Sequence, residues 1–578
     1  MAFATAPQGA KTTSEKPPYS QSDNVHQGLI EVADNADQLQ RHLGNRQIQL
    51  IAVGGTIGTA LFVSIGGGLM QGGPGSLFIA FTLYSVLLAL VNNCLAEMVI
   101  YMPVSGSFIR MASKCVIYPV HGRGADSRGH CIRWVDDAFG FMAGWNFFLY
   151  EACLIPYEIS ALNLVLTFWR DDVPPAAVCA ACIAFYAIFN IIAVKYYGEV
   201  EFWLSFGKLL LIIMLFCFTF IVMVGGNPQH DAFGFRYWKD PGSFAEYIAT
   251  GSLGRFQGFL GAFFSAAFTI VGPEYLAMVA GEAERPRTYL KNGFKTMYWR
   301  FGTFFIGGAL CVGIILPYNN EKLQNAGTGT ADGSPYVIAM QNMGIGVFPH
   351  IINALMVTAI FSAGNAYTYC AMRSLYSMAL DGHAPKIFRK CTKNGIPIWC
   401  FVLVMVFPFL SFLQVSNDTA QVVTWLANLT EASQLISYIV MCVTYLFFYR
   451  ALKVQGIDRH TLPYVGWWQP WSGWIGGISM ILVVCAYGYT VFLPGKWDLG
   501  TFFSYYTMIF VAFVTYFSWK IIKRTKVVLA AQADLVWEKP IIDAYEEALT
   551  EPPTRFRDEL MKMAGMKKRR HQETVLES

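Results

Sequence analysis

Long apolar runs alternate with short polar connections along nearly the whole chain. A helix needs about 20 mostly apolar residues to cross the hydrocarbon core of a bilayer. Twelve such runs can be drawn, at 48–67, 76–102, 139–168, 176–195, 200–224, 256–280, 298–317, 349–371, 397–414, 421–448, 472–493 and 502–523. Backbone polar groups in lipid must be satisfied within the segment, so the predicted fold is all-α: an integral membrane bundle of twelve transmembrane helices. Only 14% of residues are charged, against about a quarter in soluble domains. The net charge of +4 argues against a nucleic-acid partner.

Lysine and arginine set the orientation, because cytoplasmic loops carry their excess. One set of connections holds Arg41, Arg46, Arg110, Lys114, Lys195, Arg285, Arg287, Arg373, Arg389, Arg450, Arg459 and Lys520. The alternate set holds far fewer, among them Arg170, Arg236 and Lys322. The first set is expected in the cytosol with both termini. This divides the chain into an N-terminal tail (1–40), a twelve-helix domain (41–526) and a C-terminal tail (527–578). Lys11 and Lys16 are possible acceptors for a ubiquitin ligase, and the basic run Lys567-Lys568-Arg569-Arg570 could rest on anionic membrane lipids. Simple solvation is the alternative for both.

The thirteen cysteines follow no metal-ligand spacing, and Cys179 and Cys182 read as packing residues within a span. No nucleophile–base pair or phosphate loop stands out. The expectation is therefore no enzyme, no metal and no cofactor. Residues 115–133 (CVIYPVHGRGADSRGHCIR) interrupt segments that would otherwise join smoothly, Lys114 to Trp134. Two readings stay open: a retained intron in the gene, or a genuine loop insertion.

Two spans carry residues that a packed helix avoids. The first reads Gly54-Gly55-Thr56-Ile57-Gly58-Thr59, and the sixth reads Phe268-Thr269-Ile270-Val271-Gly272-Pro273-Glu274. Glycine permits unwound backbone, and proline removes a donor. Unpaired backbone at membrane depth is tolerated only where it lines a cavity, so paired interruptions point to a transporter's binding site. Their separation, spans one and six, is that of a five-plus-five inverted repeat. A half-helix start offers N–H groups to a carboxylate and a half-helix end offers carbonyls to an ammonium, which suits a zwitterion. Ionisable residues inside spans are functional candidates by default: Glu97, Glu151, Glu158, Lys208, Glu274 and Glu431. Glu151 and Glu158 are seven apart and share a helix face. Glu97 lies near a span end and reads as a structural or gating contact. Pairing of Lys208 with a glutamate is the structural alternative for these charges.

The chain resembles the fungal amino acid permeases, the yeast amino acid transporter family of the amino acid–polyamine–organocation superfamily. The likeness spans residues 41–526 and rests on Arg41-His42-Leu43 with Ile51 to Thr59, Pro103-Val104-Ser105-Gly106-Ser107-Phe108, Ala280 to Arg287, Ser362-Ala363-Gly364-Asn365 and Ala451 to Arg459. It implies a leucine-transporter-like fold, with repeat one at about 48–224, repeat two at about 256–448 and two extra helices in 472–523. It implies proton-driven symport of amino acids at the plasma membrane. By position, Gly55, Thr56, Ile57, Gly58 and Thr59 would hold the substrate's carboxylate and amine. Phe268 would be an aromatic lid, Glu274 would act in gating or proton coupling, and Lys208 would fill a vacant sodium position. Glu158 matches an acidic position near the pocket. The sequence departs from the family at Ile270 to Glu274, including Gly272, and at Glu431, where glycine is usual. The first change is similar to members that take S-methylated amino acids, S-adenosylmethionine, polyamines or carnitine. Glu431 is expected to favour a cationic or onium side chain. A non-transporting amino acid sensor with the same fold is the alternative, although such proteins usually have a longer N-terminal extension.

Overall fold

The computed structural model describes residues 39, 41–113, 133–170, 172–192, 194–325, 334–392, 395–417, 419–550, 552–554 and 556–563. Lys11, Lys16, the basic run at 567–570 and most of 115–133 lie outside them. Among the described residues nine helices are long and apolar enough to span a membrane, and Pro175–Ile191 and Trp471–Ala486 are shorter apolar helices. The run Ala60–Tyr101 is 42 residues long, about 63 Å at 1.5 Å per residue, twice the thickness of a hydrocarbon core. It is two legs, which meet at Gly73, whose backbone is not helical (φ 76°). The turn is clipped from outside the helix, since Gly75 N–H donates to the Ser243 carbonyl (2.7 Å) and Ala245 N–H to that of Gly72 (3.0 Å). With Asn45–Gly54 leading into the first leg, the architecture is twelve spans.

Several spans differ in detail from the sequence expectation. Span seven, Pro286–Ile315, contains a wider π-type turn at Phe301–Ile306. Span nine divides into Ile398–Val404 and a tight 3-10 stretch, Phe407–Val415, at Pro408. Span three, Asp137–Leu166, is the most central of the unbroken spans, 78% buried over its apolar stretch, whereas span twelve, Leu499–Lys523, is 6% buried. Span twelve thus turns Phe503, Phe510, Phe513 and Phe517 outward, as a lipid-facing helix must. Asp136 caps the start of span three by accepting from Ala138 N–H at 3.4 Å.

The basic connections gather on one face and are tied together. Leu43 pairs with the segment at Ala283, with Leu43 N–H donating to the Glu282 carbonyl (2.9 Å) and Glu284 N–H to that of Leu43 (3.0 Å). Arg41 donates to the carbonyls of Ala280 (3.5 Å), Ala283 (3.4 Å) and Pro103 (3.3 Å). Three of the segments that carry the family resemblance thus meet at one knot. Arg373 forms a buried ion pair with Glu282. Arg459 pairs with Glu97 at 2.6 Å, so Glu97 is a structural contact.

Residues 113 and 133 lie side by side at the mouth of the inserted segment. Arg133 donates to Ser113 Oγ (2.8 Å), and Trp134 N–H to the Met111 carbonyl (3.3 Å). Arg133 and Arg110 both pair with Asp381, at 2.5 and 3.1 Å. Burial alone would raise the Asp381 pKa, but the two guanidinium groups outweigh it and hold the carboxyl at about 2. The C-terminal segment covers this face. Its helix Lys539–Glu547 brings Asp543 (2.5 Å) and Glu546 (3.5 Å) to Arg287.

Candidate functional site

The chain leaves helical geometry where the sequence predicts it. In span one, Asn45–Gly54 ends, Gly55 to Gly58 are irregular, and the chain resumes through a wider π-type turn at Ala60–Ser64 before α-helix from Ile65. In span six, Gly251–Thr269 ends, Ile270 to Gly272 are irregular, and Pro273–Met278 begins with proline in its first turn, where a missing N–H costs nothing. Gly272 has φ +155°, and a β-carbon there would also stand 2.9 Å from Thr56 Cγ2, so the two breaks press against each other.

Both breaks are satisfied by side chains. Lys208 donates to the Gly54 carbonyl, and Tyr367 OH to that of Gly55 (3.4 Å). Among the described residues Lys208 makes this backbone contact rather than an ion pair with a glutamate within 4.0 Å. Glu274 accepts from Gly272 N–H (3.3 Å) and from Tyr438 OH (3.0 Å), which places a carboxylate on the start of the short helix. Thr59 donates to Glu158 at 2.5 Å.

Where the breaks meet there is a cavity of about 20 Å³, room for roughly one water molecule. Thr56, Gly58, Glu158 and Phe268 line it. The other sequence-predicted residues stand around it. Gly55 packs on Tyr275, which a β-carbon would approach to 2.7 Å. Ile57 is fully buried, Thr59 orients Glu158, and Gly272 backs Thr56. Glu431 is not at this cavity. It lines a second one of about 220 Å³, on the side of Phe268 remote from the basic face. Phe268 and Tyr157 border both cavities, edge to face with centroids 5.4 Å apart. Glu151, one helix face with Glu158, is buried in the bundle and lines neither.

Tyr150, Tyr157 and Tyr367 line the central cavity without a sequence signal, since aromatic residues make up 15% of the chain. Gln434 lines it too, held by the Ala267 carbonyl at 2.9 Å. Glu201 is a further buried carboxylate, which accepts from Ser362 (2.7 Å) and Ser205 (3.2 Å) beside Gly54.

Paired interruptions in spans one and six, meeting beside buried carboxylates, define a transporter of the leucine-transporter-like fold. The solved manganese transporter of Eremococcus coleocola has the same fold, with a TM-score of 0.51 at 11% identity over 85% of this chain and 98% of that one. The amino acid permease family profile matches residues 47–118 and 131–530, and the chain belongs to that family. It is 44% identical over 499 residues to the general amino acid permease AGP2 of Saccharomyces cerevisiae, covering 85% of this chain and 80% of that protein. It is 34% identical over 543 residues to the dicarboxylic amino acid permease of the same yeast, covering 92% and 86%. The chain is a multi-pass membrane protein that transports amino acids, and not an enzyme. The family match leaves out residues 119–130, inside the interrupting segment.

Proposed function

We propose that the protein is a proton-coupled amino acid symporter of the plasma membrane, with both termini in the cytosol, working by alternating access. The observation that carries this reading is the meeting of the two breaks at Thr56, Gly58 and Gly272, beside Glu158. A zwitterion can exchange hydrogen bonds there with backbone that side chains satisfy in its absence. Lys208 on the Gly54 carbonyl puts a fixed cation where a sodium-coupled transporter would hold its ion, which favours a proton as the coupling species. Glu158 and Glu274, both buried beside the breaks, are the proposed proton-coupling carboxyls, with Glu274 releasing Gly272 N–H as substrate arrives. One charge crossing 100 mV contributes about 2.3 kcal/mol, roughly fifty-fold accumulation. Substrates with a cationic or onium side chain, such as S-methylmethionine, are preferred because Glu431 lines the cavity beyond Phe268 through which they reach the breaks. Membrane lipids surround span twelve, and the tails serve as the ubiquitin-ligase substrate.

The test is uptake of a radiolabelled panel of amino acids, polyamines and sulfonium compounds into proteoliposomes with an imposed pH gradient. Uptake should collapse on adding a protonophore, and cations should compete best. Uptake indifferent to the protonophore would replace symport with exchange, and a neutral amino acid such as leucine outcompeting all cations would remove the substrate assignment.

A further inference from the structure

The larger cavity has a chemistry of its own. Its lining contains one carboxyl group, Glu431, and no lysine, arginine or histidine. Glu431 is 6% exposed, and its Oε1 is buried without a hydrogen-bond partner among the described residues. The Tyr489 hydroxyl, in the same lining, is also buried and unpartnered. A buried polar atom without a partner costs on the order of 1–3 kcal/mol, more for a charged group, and a cation beside Glu431 would offset that cost by charge. Around them stand Tyr157, Tyr247, Tyr487 and Tyr505. The volume of about 220 Å³ equals roughly seven waters at ~30 Å³ each, enough for a small organic molecule.

We infer that this cavity is a separate binding site for an organic cation, outside the zwitterion site and divided from it by Phe268 and Tyr157. A carboxylate supplies the opposite charge, and tyrosine rings attract cations through their π faces. A metal ion of the calcium type takes six to eight oxygen ligands in its first shell. One carboxyl group among tyrosine rings, with only neutral polar side chains such as Gln71, Asn428 and Thr490 besides, fits a bulky alkylated ammonium or sulfonium better. The site would hold the cationic end of an arriving substrate before the partition opens. Its purpose rests on the proposed transport function, but its existence can be tested without it.

The probe is radiolabelled tetramethylammonium, which has the charge but no carboxylate for the central site. Its binding to the purified full-length protein is read by scintillation proximity. Saturable binding is expected, weakened about tenfold or more in Glu431→Gln and unchanged in Gly58→Ala, whose β-carbon would stand 2.6 Å from Glu158 in the central cavity. Should Glu431→Gln not fold, Tyr505→Leu removes an aromatic wall and should also weaken binding. Absence of saturable binding overturns the inference. So does binding that survives Glu431→Gln and Tyr505→Leu, or binding lost in Gly58→Ala. A protein that binds tetramethylammonium in this pattern yet takes up no amino acid retains this site and loses the transport proposal.

Discussion

Toward the basic face, the way out of the central cavity runs into charge: Arg373 on Glu282, Arg110 and Arg133 on Asp381, and Arg41 on three backbone carbonyls. Toward the opposite face it meets two aromatic rings, Phe268 and Tyr157, with a ready-made cavity beyond them. The first closure is several residues deep and joins the segments before span one, between spans two and three, and after span six. The second is one side chain thick. Opening the basic face therefore requires separating buried ions, while opening the other requires little more than a rotamer change at Phe268. The conformation is one that has shut its exit toward the basic face and is poised to admit a ligand from the other side.

That contrast can be broken most strongly at Arg373. Removing one member of a buried ion pair leaves the other charge uncompensated, at a cost of about 3–5 kcal/mol. Arg373→Ala should lose that much stability in a thermal or denaturant melt, and Arg373→Ala with Glu282→Ala should recover part of it. A single mutant that melts like the wild type would show that the closure is not held by charge.

Acid should loosen the same face. The Asp381 carboxyl lies near 2 rather than the usual 3.8, a difference worth on the order of 2 kcal/mol. A depressed carboxyl stabilises the fold above its unfolded value, so this contribution is complete above pH 3.8 and disappears as pH falls toward 2. Melting curves across that window should show a step that Asp381→Asn lacks. A step of equal size in the mutant would assign it to other carboxyls.

Phe268→Ala tests the thin side. Core phenylalanine truncations cost about 3–5 kcal/mol, but Phe268 is only half-buried and faces two cavities, so a loss of about 1–2 kcal/mol is expected. Substrate retention should suffer more, with KM raised about tenfold. An unchanged KM would remove Phe268 as the partition. The smallest effect belongs to the insertion. Deleting residues 119–130, which the family match omits and whose flanks are already joined at Ser113 and Arg133, should shift stability by under about 0.5 kcal/mol. A deletion that abolishes folding or uptake would make the segment a working part.

The two interruptions are legible in the sequence because clustered glycines in the first span, and glycine followed by proline and glutamate in the sixth, do not suit a packed helix. Thr56, Gly58 and Phe268 follow directly, since they sit on or next to the broken backbone. Tyr150, Tyr157 and Tyr367 are not legible, because intact helices deliver them and nothing distinguishes a cavity-facing tyrosine from a packing one. Glu431 is conspicuous as a charge within a span, but only the packing shows that Phe268 stands between it and Gly58. The seven-residue spacing of Glu151 and Glu158 places both on one face, yet the cavity, which runs along span three from Tyr150 to Glu158, is lined by Glu158 and not by Glu151, which stays buried in the bundle. The turn between spans one and two, at Gly73, falls in the gap that the sequence leaves between the runs 48–67 and 76–102.

The account stands on the two breaks forming one zwitterion site, and binding of the transported amino acid to Gly58→Ala tests that most directly. A methyl group there would meet Glu158 Oε1 at 2.6 Å and Ala363 Cβ at 3.1 Å. Equilibrium binding to purified protein should lose all saturable signal while the melting temperature stays within a few degrees of the wild type. Affinity within about twofold of the wild type would place the substrate elsewhere and contradict the account.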